Sequence, residues 1–191
     1  MATPVDKVVK LKPTNHAIFV DDSFKEKHLT SFSFSDAGLR NSEAGIYMAS
    51  EEPPEIKTAM KMHGIAVEKY EKTGALKILS YTDVYIVDGK FSIGTLRFWK
   101  KEFYKARSKF KGLRVTGEMS CFFEKGLEAE LLSCETSLHR ILGIPMVALC
   151  AYNLEDLQKS ENSIDLYTSL IEAYAHAIFT LSNYNRPAHA D

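Results

Sequence analysis

What most constrains the fold of this 191-residue chain is an alternation along its length: short apolar runs that suit buried strands are separated by segments whose apolar residues recur at steps of three and four. Residues 16–20 (HAIFV) are the first such run. The helix after it is predicted from Phe24 to Ala37, opened by the Ser23 and Glu26 capping-box spacing and stopped by Gly38. Residues 44–49 (AGIYMA) read as a second strand, and Pro53-Pro54 open a second helix that ends at Gly64. A weaker strand is predicted over 65–70, and a better one over 84–87, ended by Asp88-Gly89. Leu96, Trp99, Phe103, Ala106 and Phe110 then lie on one helical face. Residues 113–116 form a strand, and Leu127, Leu131, Cys134, Leu138 and Ile141 repeat the helical stepping before Gly143. Residues 146–151 (MVALCA) are the most apolar strand and 163–175 a helix, while 176–181 fit either a strand or a continuation of that helix.

Strands alternating with helices of this length predict an α/β fold, a three-layer α/β/α arrangement with a mostly parallel sheet covered on both faces. Ligands of such sheets bind beyond the carboxyl ends of the strands. That directs attention to Asp21, Asp22 and Ser23, to Ser50, Glu51 and Glu52, to Asp88, to Gly117 and Glu118, and to Tyr152 and Asn153.

Composition narrows the class further. With 45% hydrophobic, 11% aromatic and 26% charged residues the chain is of globular type, and its formal net charge of −1 gives no global pull toward nucleic acid or an anionic membrane. No apolar run approaches the roughly 20 residues that cross a bilayer, and the first residues, mixed with Lys7, Lys10 and Lys12, do not form a secretory signal. A cytoplasmic location is expected. The three cysteines, Cys121, Cys134 and Cys150, have no CxxC spacing, and the histidines no HxH, HxxxH or HExxH spacing, so no metal ligand set and no cofactor is read from the sequence.

The first strand-to-helix junction is where a nucleotide-binding α/β protein carries glycines that expose backbone amides to phosphate. No glycine occurs between Val20 and Gly38, and Asp21-Asp22 occupies the turn, which argues against ordinary nucleoside triphosphate hydrolysis. Residues 97–114 carry eight basic residues and one acidic residue among Phe98, Trp99, Phe103, Tyr104 and Phe110. The resulting +7 is balanced by −7 over 115–191. Most of those aromatics share the core-facing stripe, so surface charge is the simpler reading and nucleic acid the less favoured one.

Glu118, at the carboxyl end of a strand and preceded by Gly117, is the most informative acid: in the crevice it needs a partner or a shifted pKa. Arg114 precedes it on the same strand, and the plainer reading is that Glu118 accepts bonds from a neighbouring loop or helix terminus. Cys150 fits a core residue, and Tyr152, two residues on, is placed to close a pocket and to donate its hydroxyl to a ligand or to Glu118.

The run from Gly112 to Met119 (GLRVTGEM), with Cys150-Ala-Tyr152-Asn153 further on, resembles the MEDS domain, a sensory domain named after methanogens, methylotrophs and the repressor of dichloromethane dehalogenase. His28-Leu29, Glu43, Glu135 and His176 agree with it. The resemblance covers residues 14–183, which makes 1–13 and 184–191 tails on a single domain. It implies a RecA/KaiC-like P-loop fold lacking a functional phosphate loop, and a sensor of simple hydrocarbon derivatives of the kind that feeds histidine kinases or DNA-binding domains in archaea and bacteria. The 191 residues carry no recognisable output domain, so signalling through a separate protein partner or a homodimer is expected.

The expectation is therefore a stand-alone, non-catalytic sensory domain binding a small molecule at the carboxyl edge of the sheet. Glu118 and Arg114 would be polar anchors, Tyr152 and Cys150 the wall, and Asp22 and His28 the closure of the first loop. The alternative is a degenerate RecA/KaiC-like scaffold, or a nucleic-acid or protein adaptor, that uses Lys100, Lys101 and Lys105.

Overall fold

The structure, a computed structural model, describes residues 2–92, 94–141 and 145–180. Its main sheet is built from β1 (His16–Asp21), β2 (Ala44–Ala49), β3 (Leu76–Ser80), β6 (Leu113–Glu118), β7 (Val147–Asn153) and β8 (His176–Phe179). They lie in the order β3-β2-β6-β7-β1-β8, with every neighbouring pair parallel. A two-stranded antiparallel ribbon, β4 (Ile86–Val87) and β5 (Lys90–Phe91), stands apart from it. The helices are α1 (Pro4–Val8), α2 (Phe24–Arg40), α3 (Pro53–Met62), α4 (Val67–Thr73), α5 (Thr95–Arg107), α6 (Ser120–Glu124), α7 (Glu128–Ile141), α8 (Leu154–Lys159) and α9 (Ser163–Ala173).

Strand alternation sorts the side chains onto two faces. Ile18, Val20, Ile46, Met48, Val115, Ala148, Cys150 and Tyr152 form one core with α5, α6, α7 and α9. The intervening residues, among them Phe19, Tyr47, Ala49, Leu149 and Ala151, pack against α1, α2 and α3. Glu118 and Arg114 share the second face, because they are four residues apart on β6. The three-layer α/β/α architecture predicted from the alternation is the one observed.

Several local expectations differ from the structure. The helix after β1 runs through Gly38 to Arg40, since a Cβ at Gly38 would lie 2.4 Å from Arg114 Cδ: the glycine makes room for a side chain and does not end a helix. Residues 67–73, which overlap the weak strand expected over 65–70, are helix α4. Ile65 and Val67 are buried, but charged residues follow at once, and Gly74 closes the helix at φ 74°. The edge strand β3 falls instead on 76–80, where half-exposed Lys77 hides the apolar pattern.

The 84–87 run contributes only to the β4–β5 ribbon. Its turn places Asp88 and Gly89 at φ 51° and 72°, and Asp88 ends no strand of the main sheet. Residues 176–179 are a strand, which resolves the open assignment there, whereas Leu181, the 184–191 tail and Gly143 lie outside the described residues. Within the expected N-terminal tail, Thr3 caps α1, and Val8 and Leu11 are buried against Phe34 and β7. Among the described residues no helix is long and apolar enough to cross a membrane.

Candidate functional site

At the carboxyl end of β6, Glu118 is 1% exposed and fully engaged. Tyr47, mid-strand on the neighbouring β2, donates its hydroxyl to Glu118 Oε1 at 2.5 Å. The Ser50 backbone N–H donates to Oε2 at 2.9 Å, and Lys27 Nζ lies 3.2 Å from the same oxygen. Lys27 comes from the first turn of α2, where Ser23 Oγ accepts the Glu26 amide and so fixes the start of the helix. The same ammonium reaches Glu51 Oε1 at 2.8 Å, and His28 Nε2 stands 3.3 Å from that oxygen. His28 stacks on Phe32 with ring centroids 4.7 Å apart, so two consecutive helix residues are aimed at one pair of carboxylates.

Burial makes each charge here expensive. It pushes the Glu118 carboxyl above the usual range, against the pull of Lys27 and with the added repulsion of Glu51. Burial also opposes charge on Glu51, yet the hydrogen bonds from His28, Glu118 and Lys27 outweigh it and hold Glu51 below the usual range. Of the two acids, Glu118 takes a proton first. For Lys27 burial works against the ammonium, and the attraction of Glu118 and Glu51 overcomes it, keeping the amine charged.

Glu118, Glu51, Lys27 and Ser50 line a cleft of about 330 Å³ together with Asp21, Phe24, Ser120, Glu124, Asn153, Glu155 and Asp156. Asp21, the last residue of β1, is 1% exposed, and its Oδ2 has no hydrogen-bond partner among the described residues. Desolvation raises its carboxyl to about 7, against the attraction of Lys27. Acidic side chains outnumber the single lysine among the residues of this cleft. It can therefore take up a hydrogen-bond donor or a cation far more readily than a polyphosphate.

The remaining residues singled out in the sequence are distributed differently. Arg114 sits at the amino end of β6, about 13 Å of strand from Glu118. Its Nε donates to Glu43 Oε2 at 2.6 Å, and its other nitrogens reach Phe34 and Leu11 carbonyls. Arg114 is therefore a buried structural anchor on the far edge, not a polar anchor of the cleft beside Glu118. Cys150 and Tyr152 face the opposite side of the sheet from Glu118. Tyr152 hydrogen-bonds Tyr174 Oη at 2.9 Å and donates to Glu135 Oε1 at 3.4 Å, and Cys150 Sγ lies 3.3 Å from His16 Nε2.

Asp22 is half-buried in the β1–α2 turn, where its charge acts on Asp21. Lys100, Lys101 and Lys105 are exposed on α5. The cleft thus unites Glu118 with Lys27, Glu51 and Asp21, while His28 and Tyr47 reach its carboxylates Glu51 and Glu118 without lining it. Asp21 and Glu51 follow from their places at strand ends. Tyr47, inside an apolar strand, carried no signal until the β2–β6 register set it beside the strand that ends in Glu118.

Two groups of potential metal ligands occur among the described residues: His28, Glu51 and Glu118 at the cleft, and His16, Glu135 and Cys150 behind the sheet. In the first, Lys27 bridges the two carboxylates and supplies the positive charge itself.

Comparison with solved structures places this architecture beside two proteins. The flagellar accessory protein FlaH from Methanocaldococcus jannaschii aligns with a TM-score of 0.61 at 16% identity, over 93% of this chain and 76% of that one. A KaiC-like protein from Pyrococcus horikoshii aligns at 0.53 and 15% identity, over 74% of this chain and 62% of that one. At such identities the likeness is one of fold, and the fold is RecA/KaiC-like. No curated protein matches the sequence. The model of the MEDS family, the methanogen/methylotroph, DcmR sensory domain, matches residues 15–165, and the chain belongs to that family.

Proposed function

We propose that the chain is a non-catalytic sensory domain that binds a small neutral or cationic molecule, a short alcohol or amine of the simple hydrocarbon-derivative class, in the cleft beside Glu118. The observation that carries this reading is Asp21: a carboxylate 1% exposed, with an oxygen that no hydrogen bond satisfies, lining a cleft already wired with Lys27, Glu51 and Glu118. A buried acceptor left open at the end of a parallel strand suits a ligand hydroxyl or ammonium. Membership of a sensory family and the absence of glycine from the β1–α2 turn support binding over phosphate chemistry.

Binding exchanges the strain of the unsatisfied acceptor for a hydrogen bond and moves the Lys27, Glu51 and His28 network at the start of α2. Helix α2 packs across β1, β2, β6 and β7, so this movement reaches most of the sheet. A partner protein or a second copy then reads the change. The test is a titration with short alcohols and methylated amines, followed by amide chemical shifts. Saturable shifts centred on Asp21, Lys27 and Ser50, lost in Asp21→Asn and weakened in Glu118→Gln, are expected. The absence of saturable shifts for every member of both series overturns the reading.

A further inference from the structure

Behind the sheet, on the face opposite the cleft, three side chains from distant parts of the sequence converge. His16 opens β1, and Cys150 lies on the adjacent β7, two residues beyond the position paired with His16, so both project to one face as diagonal neighbours. Glu135 descends on them from α7 and is 1% exposed. His16 Nε2 is 3.3 Å from Cys150 Sγ and 3.3 Å from Glu135 Oε2, and one ligand atom from each of the three residues lies within 4.8 Å of the others.

These spacings have a chemical meaning. A tetrahedral ion bound at 2.0–2.3 Å by nitrogen, oxygen and sulfur enforces edges of about 3.3–3.7 Å between its ligand atoms, and the two edges at His16 already have that length. Glu135 Oε1 accepts a hydrogen bond from Tyr152 and Oε2 faces His16 Nε2, so the carboxylate is oriented toward the other two groups. The Tyr152–Tyr174 hydroxyl pair and the Tyr174 ring, 4.3 Å from the His16 ring, hold two of the three groups in place. Such outer-layer support is characteristic of metal ligands. His16, with its side chain 12% exposed, is the way in from solvent.

We propose that His16, Glu135 and Cys150 form a binding site for a thiophilic divalent transition metal of the zinc class, three protein ligands leaving a fourth position open. The sulfur excludes magnesium and calcium, which take oxygen ligands, and the mixed nitrogen, oxygen and sulfur set is that of zinc and cobalt. This site is separate from the cleft and stands whether or not the cleft binds a hydrocarbon derivative.

The experiment is a titration of chelator-stripped, reduced full-length protein with Co²⁺. One equivalent is expected to produce a near-ultraviolet thiolate-to-cobalt band with the visible bands of four-coordinate cobalt, and Zn²⁺ should displace it. Cys150→Ser should abolish the ultraviolet band, Glu135→Gln should weaken affinity about 10–100-fold, and Cys121→Ser and Cys134→Ser should leave the spectrum unchanged. His16→Gln, a change at the partly exposed member, is also expected to lose the band, and with its fold checked by circular dichroism the result does not depend on tolerance of the core to Cys150→Ser. A folded wild type that shows no stoichiometric cobalt complex, or a band that survives in Cys150→Ser or His16→Gln, overturns the proposal.

Discussion

Lys27 and Glu118, 91 positions apart in sequence, form an ion pair at 3.2 Å with the glutamate 1% exposed and the lysine side chain 12% exposed. Removing one partner of a buried pair leaves an uncompensated charge, which costs more than the pair contributes. Lys27→Met, which keeps the apolar stem, is expected to destabilise the protein by about 2–4 kcal/mol at neutral pH in urea unfolding. The deficit should shrink as acid protonates the carboxylates in both states, and Glu118→Gln combined with Lys27→Met should recover part of it. A single-mutant loss below about 0.5 kcal/mol would show that solvent screens this pair as it screens surface pairs.

Asp21 makes the stability of the fold depend on pH in a definite direction. Burial raises its folded-state pKa from 3.8 to about 7, so the folded form holds the proton more tightly than the unfolded chain. The contribution of the protonated group is fully present below about pH 4 and is lost as pH rises toward 7. Asp21→Asn is accordingly expected to be more stable than wild type at pH 8, by on the order of 4 kcal/mol, and close to it near pH 4. Carboxyl-carbon NMR gives the independent check: an Asp21 resonance that titrates near 4 would remove the basis of this prediction.

Much of this architecture is legible in the sequence because burial leaves a periodic trace. The strands 16–21, 44–49, 113–118 and 147–153 are apolar enough to be seen, and Glu118 stands out as a charge at the end of one of them. Arg114 and Glu118 show where such reading stops. Alternation places them on one face, but only the direction of β6 tells that they occupy opposite ends of the sheet, with Arg114 bound to Glu43. Tyr47, Lys27 and the His16, Glu135 and Cys150 group were invisible for a related reason. Their partners come from other strands or helices, and no spacing within the sequence encodes a contact between β1, α7 and β7.

Gly38 offers a test in which the usual rule reverses sign. In an exposed helix interior, glycine to alanine gains about 1 kcal/mol. Gly38 is in the interior of α2, but an added Cβ would meet Arg114 Cδ at 2.4 Å and Nε at 2.9 Å. The arginine cannot swing aside without breaking its bonds to Glu43, Phe34 and Leu11. Gly38→Ala is expected to destabilise by about 2 kcal/mol or more, as overpacking of a filled core does. Arg114→Met in the same background should relieve part of the clash. A stabilised Gly38→Ala would mean that the arginine yields freely and that its bonds to the α1–α2 side are weak.

The basic helix α5 decides between a sensory domain and a nucleic-acid adaptor. Single-stranded nucleic acid is held by lysines and arginines interleaved with exposed aromatic rings on which bases stack. On this helix Trp99 and Phe103 are 1% and 2% exposed and belong to the core, leaving Tyr104 as its exposed ring. Arg114, counted with the basic run in the sequence, is buried on the other side of the sheet. The lysines themselves are exposed. Reversing Lys100, Lys101 and Lys105 to glutamate should leave unfolding free energy within about 0.5 kcal/mol of wild type, and should not change retention of DNA or RNA at physiological salt. A wild-type affinity that falls steeply with salt and disappears in the triple variant would instead assign α5 a nucleic-acid role.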